Sequence, residues 1–228
     1  MIRVTQQPEP DSFFDLVKKK ADKFLKENPS PTIQEIRKRD LWTAALDDLY
    51  QSYGEVCAYS SLWYSRDAAT VDHFIPIAVL KGEMLTLAYD WNNFRLASRS
   101  MNTEKLDFQD VIDPFLVEQG WFVMDFPSLM IRCGDNLPPS ISDRVNATIN
   151  RLKLNEKNRY INYRSKFLEE YCKQCKQYIK IYPDFIVTPL LETLEKRAPF
   201  IAYELKRQGL EIKIIDMMLE NSAIKGLS

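Results

Sequence analysis

The only histidine of the 228-residue chain, His73, directly follows an aspartate, Asp72, at the end of a short β-branched stretch. Imidazole, with an ordinary pKa of about 6.5, is the side chain best suited to take a proton from water near neutral pH. Asn93 stands 20 residues after His73, and Asn102 nine residues after Asn93. Hydrolysis of a phosphodiester needs an activated water, a cation to offset charge on the phosphorane, and help for the departing 3′ oxygen. His73 is the candidate base. Asp72 and Asn102 offer one carboxylate and one amide oxygen, a set that leaves a hard cation most of its positions for water and phosphate and so suits Mg²⁺ or Mn²⁺. Neighbours on a strand point to opposite faces, so Asp72 is expected to reach such a cation rather than the imidazole. Taken singly, an Asp-His pair is more often structural, and Asn92-Asn93 is an ordinary turn sequence. The ordered set is what points to chemistry.

The elements that must carry these residues follow from changes of period. Asp11 or Ser12 opens a helix through FFDLVKKKADKFLKE that Asn28-Pro29 stops, and Ser30-Pro31-Thr32 opens a short one through Arg37. Residues 41–53 place Leu41, Trp42, Ala45, Leu46, Leu49, Tyr50 and Tyr53 on one helical face, ended by Gly54. The pattern then shortens. Residues 70–79 read as a strand interrupted by Pro76, 93–97 as a second strand, and 100–107 as a helix. Residues 120–132 are apolar and broken by Pro127-Ser128, which predicts two strands or an extended arm. Residues 142–180 and 189–222 read as helices, with a Tyr182-Pro183-Asp184 turn between them. The expected fold is α+β and predominantly α: a short hairpin plus helix flanked by helices. Its segments are 1–54 (N-terminal helices), 55–138 (the hairpin–helix core with its following arm) and 139–228 (a helical subdomain), within one domain or with a semi-independent tail.

The stretch from Cys57 through Phe108, with Val71-Asp72-His73-Phe74, Trp91-Asn92-Asn93-Phe94-Arg95-Leu96 and Ser100-Met101-Asn102-Thr103-Glu104-Lys105 in that order, resembles the HNH (ββα-metal) endonucleases. The resemblance covers roughly a quarter of the chain. It implies a ββα-metal core that cleaves DNA with one divalent ion, leaving 5′-phosphate and 3′-hydroxyl ends. His73 would be the base, Asp72 and Asn102 the metal ligands, and Asn93 the brace of the loop between the strands, fixing the base through a hydrogen bond. Lys105, one turn after Asn102, and Arg95 and Arg99 are candidate nucleic-acid contacts. Many HNH proteins hold a structural zinc with two Cys-x-x-Cys pairs. The corresponding positions here are Cys57 with Ser60 and Ser98 with Met101, so three of four thiols are missing and no structural zinc is expected. The flanking text resembles bacterial HNH proteins that accompany an ATPase in Septu-type or retron-linked defence against phage, which implies an ATPase partner. A catalytically inactive nucleic-acid-binding or regulatory subunit of such a complex is the alternative.

Composition sets the outer bounds. Hydrophobic residues at 45% and charged ones at 28% are ordinary for a soluble globular protein. No apolar run approaches a membrane span and no secretory signal is visible at the start, so the cytoplasm is the expected location. A net charge of −1 is low for a protein that grips DNA unaided. Yet between Arg144 and Lys180 ten basic residues face three glutamates, a surplus of seven, and 18–20 and 37–39 form further basic runs. Cys172 and Cys175 have redox-motif spacing but sit in a helical stretch with no second ligand pair, and read as helix residues. The aromatics near the motif (Tyr59, Trp63, Tyr64, Phe74, Tyr89, Trp91, Phe94) read chiefly as core, with base stacking as the alternative.

Overall fold

The computed structural model describes residues 1–182 and 186–217. Among the described residues helix dominates, and the β structure is two antiparallel hairpins and an isolated antiparallel bridge between Val56 and Trp63. The N-terminal helices run in sequence as α1 (Asp11–Phe13), a π-helical turn over Phe14–Lys18, α2 (Lys19–Glu27) and α3 (Ile33–Lys38). A 3₁₀ turn over Leu41–Ala45 then leads into α4 (Leu46–Ser52). Thr32 fixes the start of α3 with a capping box: its hydroxyl accepts from the Glu35 amide while Glu35 reaches back to the Thr32 backbone. Gly54, at φ +60°, turns the chain after α4 at little steric cost.

The first hairpin pairs β1 (Ala69–His73) with β2 (Phe94–Ser98), His73 opposite Phe94 and Asp72 opposite Arg95. Ser98 then caps α5 (Arg99–Lys105) by accepting from the Met101 amide at 3.2 Å. β1 stops at His73 and not at 79, because the chain past Pro76 winds into a 3₁₀ turn over Ile77–Val79. The second hairpin, β3 (Phe122–Asp125) with β4 (Met130–Cys133), resolves the 120–132 arm as two strands turning around Pro127-Ser128.

The helices that follow are α6 (Pro139–Arg151), a π-helical turn over Lys157–Ile161, α7 (Asn162–Ile181), α8 (Thr188–Arg197) and α9 (Pro199–Gln208). Residues 142–180 are therefore not one helix. Leu152 and Leu154 are driven into the core, Lys153 between them takes φ +48°, and Asn155 docks the break by bonding both the amide and the carbonyl of Ile131. Arg164 then satisfies the carbonyls of Leu129, Leu154 and Tyr160 from inside the protein. Pro183 and Asp184 of the expected turn, and residues 218–222 of the last helical stretch, lie outside the described residues. Cys172 and Cys175 lie on α7 facing the core as free thiols, and burial pushes the Cys172 thiol up to about 12.

The first hairpin is the wall between two cores. Ala69, Val71, Phe94 and Leu96 face the N-terminal helices and pack with Phe13, Val17, Ile36 and Leu49. Ala97, with Met101 of α5, joins a second core built from the other hairpin and the C-terminal helices. Segment 55–138 thus contributes to both. No described helix is long and apolar enough to cross a membrane.

Candidate functional site

Alternation along β1 sends His73 and Asp72 to opposite faces of the hairpin. His73 turns toward the N-terminal helices. Trp42 meets its ring edge-on at 4.8 Å and Phe94 at 5.2 Å. Its Nε2 lies 2.9 Å from the Ala88 carbonyl, and since a carbonyl only accepts, Nε2 carries the proton and Nδ1 is left as the lone-pair nitrogen. Burial holds the imidazole below its ordinary pKa, outweighing the opposing pull of that carbonyl and of Asp72. His73 is therefore a neutral ring with one basic nitrogen, and it keeps 9% of its surface exposed.

Asp72 points to the other face. Tyr59 donates its hydroxyl to Oδ2 at 2.5 Å, and the Lys105 ammonium lies 3.3 Å from Oδ1. Lys105, expected at the surface as a phosphate contact, is wholly buried and donates a second bond to the His73 carbonyl at 2.8 Å. The last residue of α5 thereby ties that helix to the end of β1. Asn93 is likewise internal. Its Oδ1 accepts from the Ile75 amide at 2.7 Å, and its Nδ2 donates to the Ile75 and Leu87 carbonyls at 3.1 and 3.0 Å. One amide side chain so closes the long loop between the strands, including the segment that presents Ala88 to His73. Asn102 is half-buried on α5, with Nδ2 at 3.5 Å from the Val71 carbonyl.

Asp72, His73 and Asn102 line one cleft of about 360 Å³, with Thr70, Thr103 and Trp42 among its other walls and the Asp72 side chain itself only 3% exposed. The two other basic candidates divide. Arg95 is buried in a two-pronged ion pair with Asp113 (2.9 and 2.6 Å), stacks 3.6 Å from the Phe115 ring centre, and bonds the Asn92 and Phe94 carbonyls. It is a structural cation, because every face of its guanidinium is already engaged. Arg99 is exposed at the start of α5 but does not line the cleft. Of the aromatics near the motif, Tyr59, Tyr89, Trp91 and Phe94 are core.

The positions that correspond to a zinc knuckle are all buried. The Tyr64 ring lies among Cys57, Ser60, Ser98 and Tyr160, and the Tyr160 hydroxyl is 3.9 Å from the Met101 sulfur. Of the four knuckle positions Cys57 alone carries a thiol. Among the described residues no group of three or more His, Cys, Asp or Glu side chains is arranged to hold a metal.

Three residues receive no role at the site from the sequence reading. Tyr59 and Trp42 contact Asp72 and His73, and Asp113 neutralises Arg95. Tyr59 and Trp42 carry only the signal of apolar helix or core composition. Asp113 caps the turn at Pro114–Leu116, which is a local signal in its own right. Compared with known proteins, the chain matches no family model and no curated protein.

Proposed function

We propose that the chain is a divalent-metal-dependent phosphodiester hydrolase of the HNH type, acting on DNA in the cytoplasm, within bacterial anti-phage defence and alongside an ATPase. The observation that carries the reading is the shared cleft of Asp72, His73 and Asn102 at the end of a hairpin that runs into a helix. His73 takes the proton of the attacking water on Nδ1, since Nε2–H is committed to the Ala88 carbonyl. Asn93 holds the loop that carries that carbonyl, and so sets the angle of the ring. Trp42 and Phe94 restrict the imidazole to one orientation.

The donor set fits only a loosely held hard cation. Tyr59 and Lys105 use part of the lone-pair capacity of the Asp72 carboxylate, and among the described residues no side-chain or backbone donor is bonded to the Asn102 amide oxygen. Asp72 and Asn102 would hold Mg²⁺ or Mn²⁺ with water and phosphate completing the shell, and the ion would offset charge on the phosphorane and the leaving 3′ oxygen.

The test is plasmid cleavage in Mg²⁺ with a chelator control. His73→Ala is expected to abolish cutting, and cutting by that variant at the wild-type rate would refute the assignment. A second reading, an inactive nucleic-acid-binding or regulatory subunit of an ATPase complex, is favoured by one observation: the Asp72 charge is already balanced by a buried ammonium. Absence of any metal-dependent cutting by the wild-type chain, alone and with its ATPase, would select it.

A further inference from the structure

The cleft must receive a polyanion if the hydrolase reading holds, yet its own walls lean acidic. Asp72 and the exposed Asp107 are among its lining residues, while Lys105, which pairs with Asp72, is wholly buried and does not line it. Two of the three basic residues assigned to phosphate from the sequence point inward, and the third stands outside the cleft. Among the residues that line it, one arginine or lysine is present: Arg37.

Arg37 belongs to α3, a helix held in place from both directions. The Thr32–Glu35 capping box fixes its start, and Ile36, fully buried, anchors it in the first core. The neighbouring Arg37 is exposed, and among the described residues no carboxylate, carbonyl or ring engages its guanidinium. An unpaired guanidinium on a pinned helix presents a planar fork matched to two phosphate oxygens, with little further ordering needed on binding. Trp42, a few residues on from the same flank, forms the wall that meets the His73 ring.

We propose that Arg37 is the phosphate-binding residue of this cleft, so that the N-terminal helical flank supplies part of the substrate site. Its ligand is a backbone phosphate of the nucleic acid, gripped between α3 and the hairpin–helix wall that carries His73 and Asn102. The assignment rests on the hydrolase reading and names the contact that the motif itself lacks.

The experiment measures binding of a short fluorescent DNA duplex by anisotropy across a salt series, on the full chain carrying His73→Ala so that nothing is cut. Adding Arg37→Ala is expected to weaken binding about tenfold at low salt. It should also lower the slope of log affinity against log salt by about 0.9, the signature of one lost phosphate contact. Arg37→Lys should keep the slope while losing part of the affinity, and Lys38→Ala, one residue along, should match its parent. Affinity within twofold of the parent, with the same slope, overturns the Arg37 assignment and leaves the hydrolase reading standing if the otherwise wild-type chain still cuts. A parent that binds no duplex, together with a wild-type chain that cuts none, overturns both.

Discussion

Lys105 is the most consequential side chain near the candidate site that does not touch the cleft, and its removal gives a sharp prediction. Its ammonium is fully buried, 3.3 Å from the Asp72 carboxylate and 2.8 Å from the His73 carbonyl. At an effective dielectric of about 20, two unit charges at that separation attract by about 5 kcal/mol. Lys105→Met keeps most of the side-chain volume but leaves a buried carboxylate with, among the described residues, the Tyr59 hydroxyl as its remaining side-chain partner, and takes the ammonium donor from the His73 carbonyl. Breaking a buried pair from one side costs about 3–5 kcal/mol. For a chain of this length that is a fall in melting temperature of about 10 °C. Asp72→Asn should cost a similar amount by isolating the ammonium. The double variant should lose far less than the sum of the two, with a coupling energy of at least about 2 kcal/mol in urea unfolding. A Lys105→Met loss under about 1 kcal/mol, or additive single losses, would refute the idea that this pair fastens α5 to the end of β1.

Two further outcomes follow from the same geometry. Asn93→Ala removes three hydrogen bonds from a side chain only 4% exposed and strands one amide and two carbonyls, so it should cost about 3 kcal/mol in urea unfolding; a loss under about 1 kcal/mol would show that water or a shifted loop replaces them. His73 supplies a pH signature. Because burial lowers its pKa in the folded protein, the unfolded chain takes up the proton first as pH falls below about 6.5, so the His73 contribution to stability is present above that pH and declines beneath it. The stability difference between wild type and His73→Gln should change in that acid window and be level above pH 7, and the acid limb of any cleavage activity should have its midpoint below about 6.5. A midpoint above 7 would remove His73 as the titrating base.

The sequence alone determined what depends on near neighbours. The start of α3 is legible in Ser30-Pro31-Thr32 because a helix start is signalled by adjacent residues, and the strand–loop–strand–helix order is legible because hydrophobic period changes within a few residues. Opposite facing of Asp72 and His73 follows from strand alternation, and the turn after α4 from a glycine. The break in residues 142–180 was not legible, since helical composition runs through it. Only burial of Leu152 and Leu154 and the bonds from Asn155 to β4 decide it. The fate of the charges was hidden for the same reason. Lys105 and Arg95 carry the spacing of surface cations, but Asp72, Tyr59 and Asp113, brought close by the fold, make burial of those charges tolerable. Arg37 stays exposed because its neighbour Ile36 takes the inward position on α3, and its place on the wall facing His73 depends on how the N-terminal helices pack against the hairpin. A linear motif can name residues able to do chemistry; which of them face solvent is fixed by contacts between segments far apart in the chain.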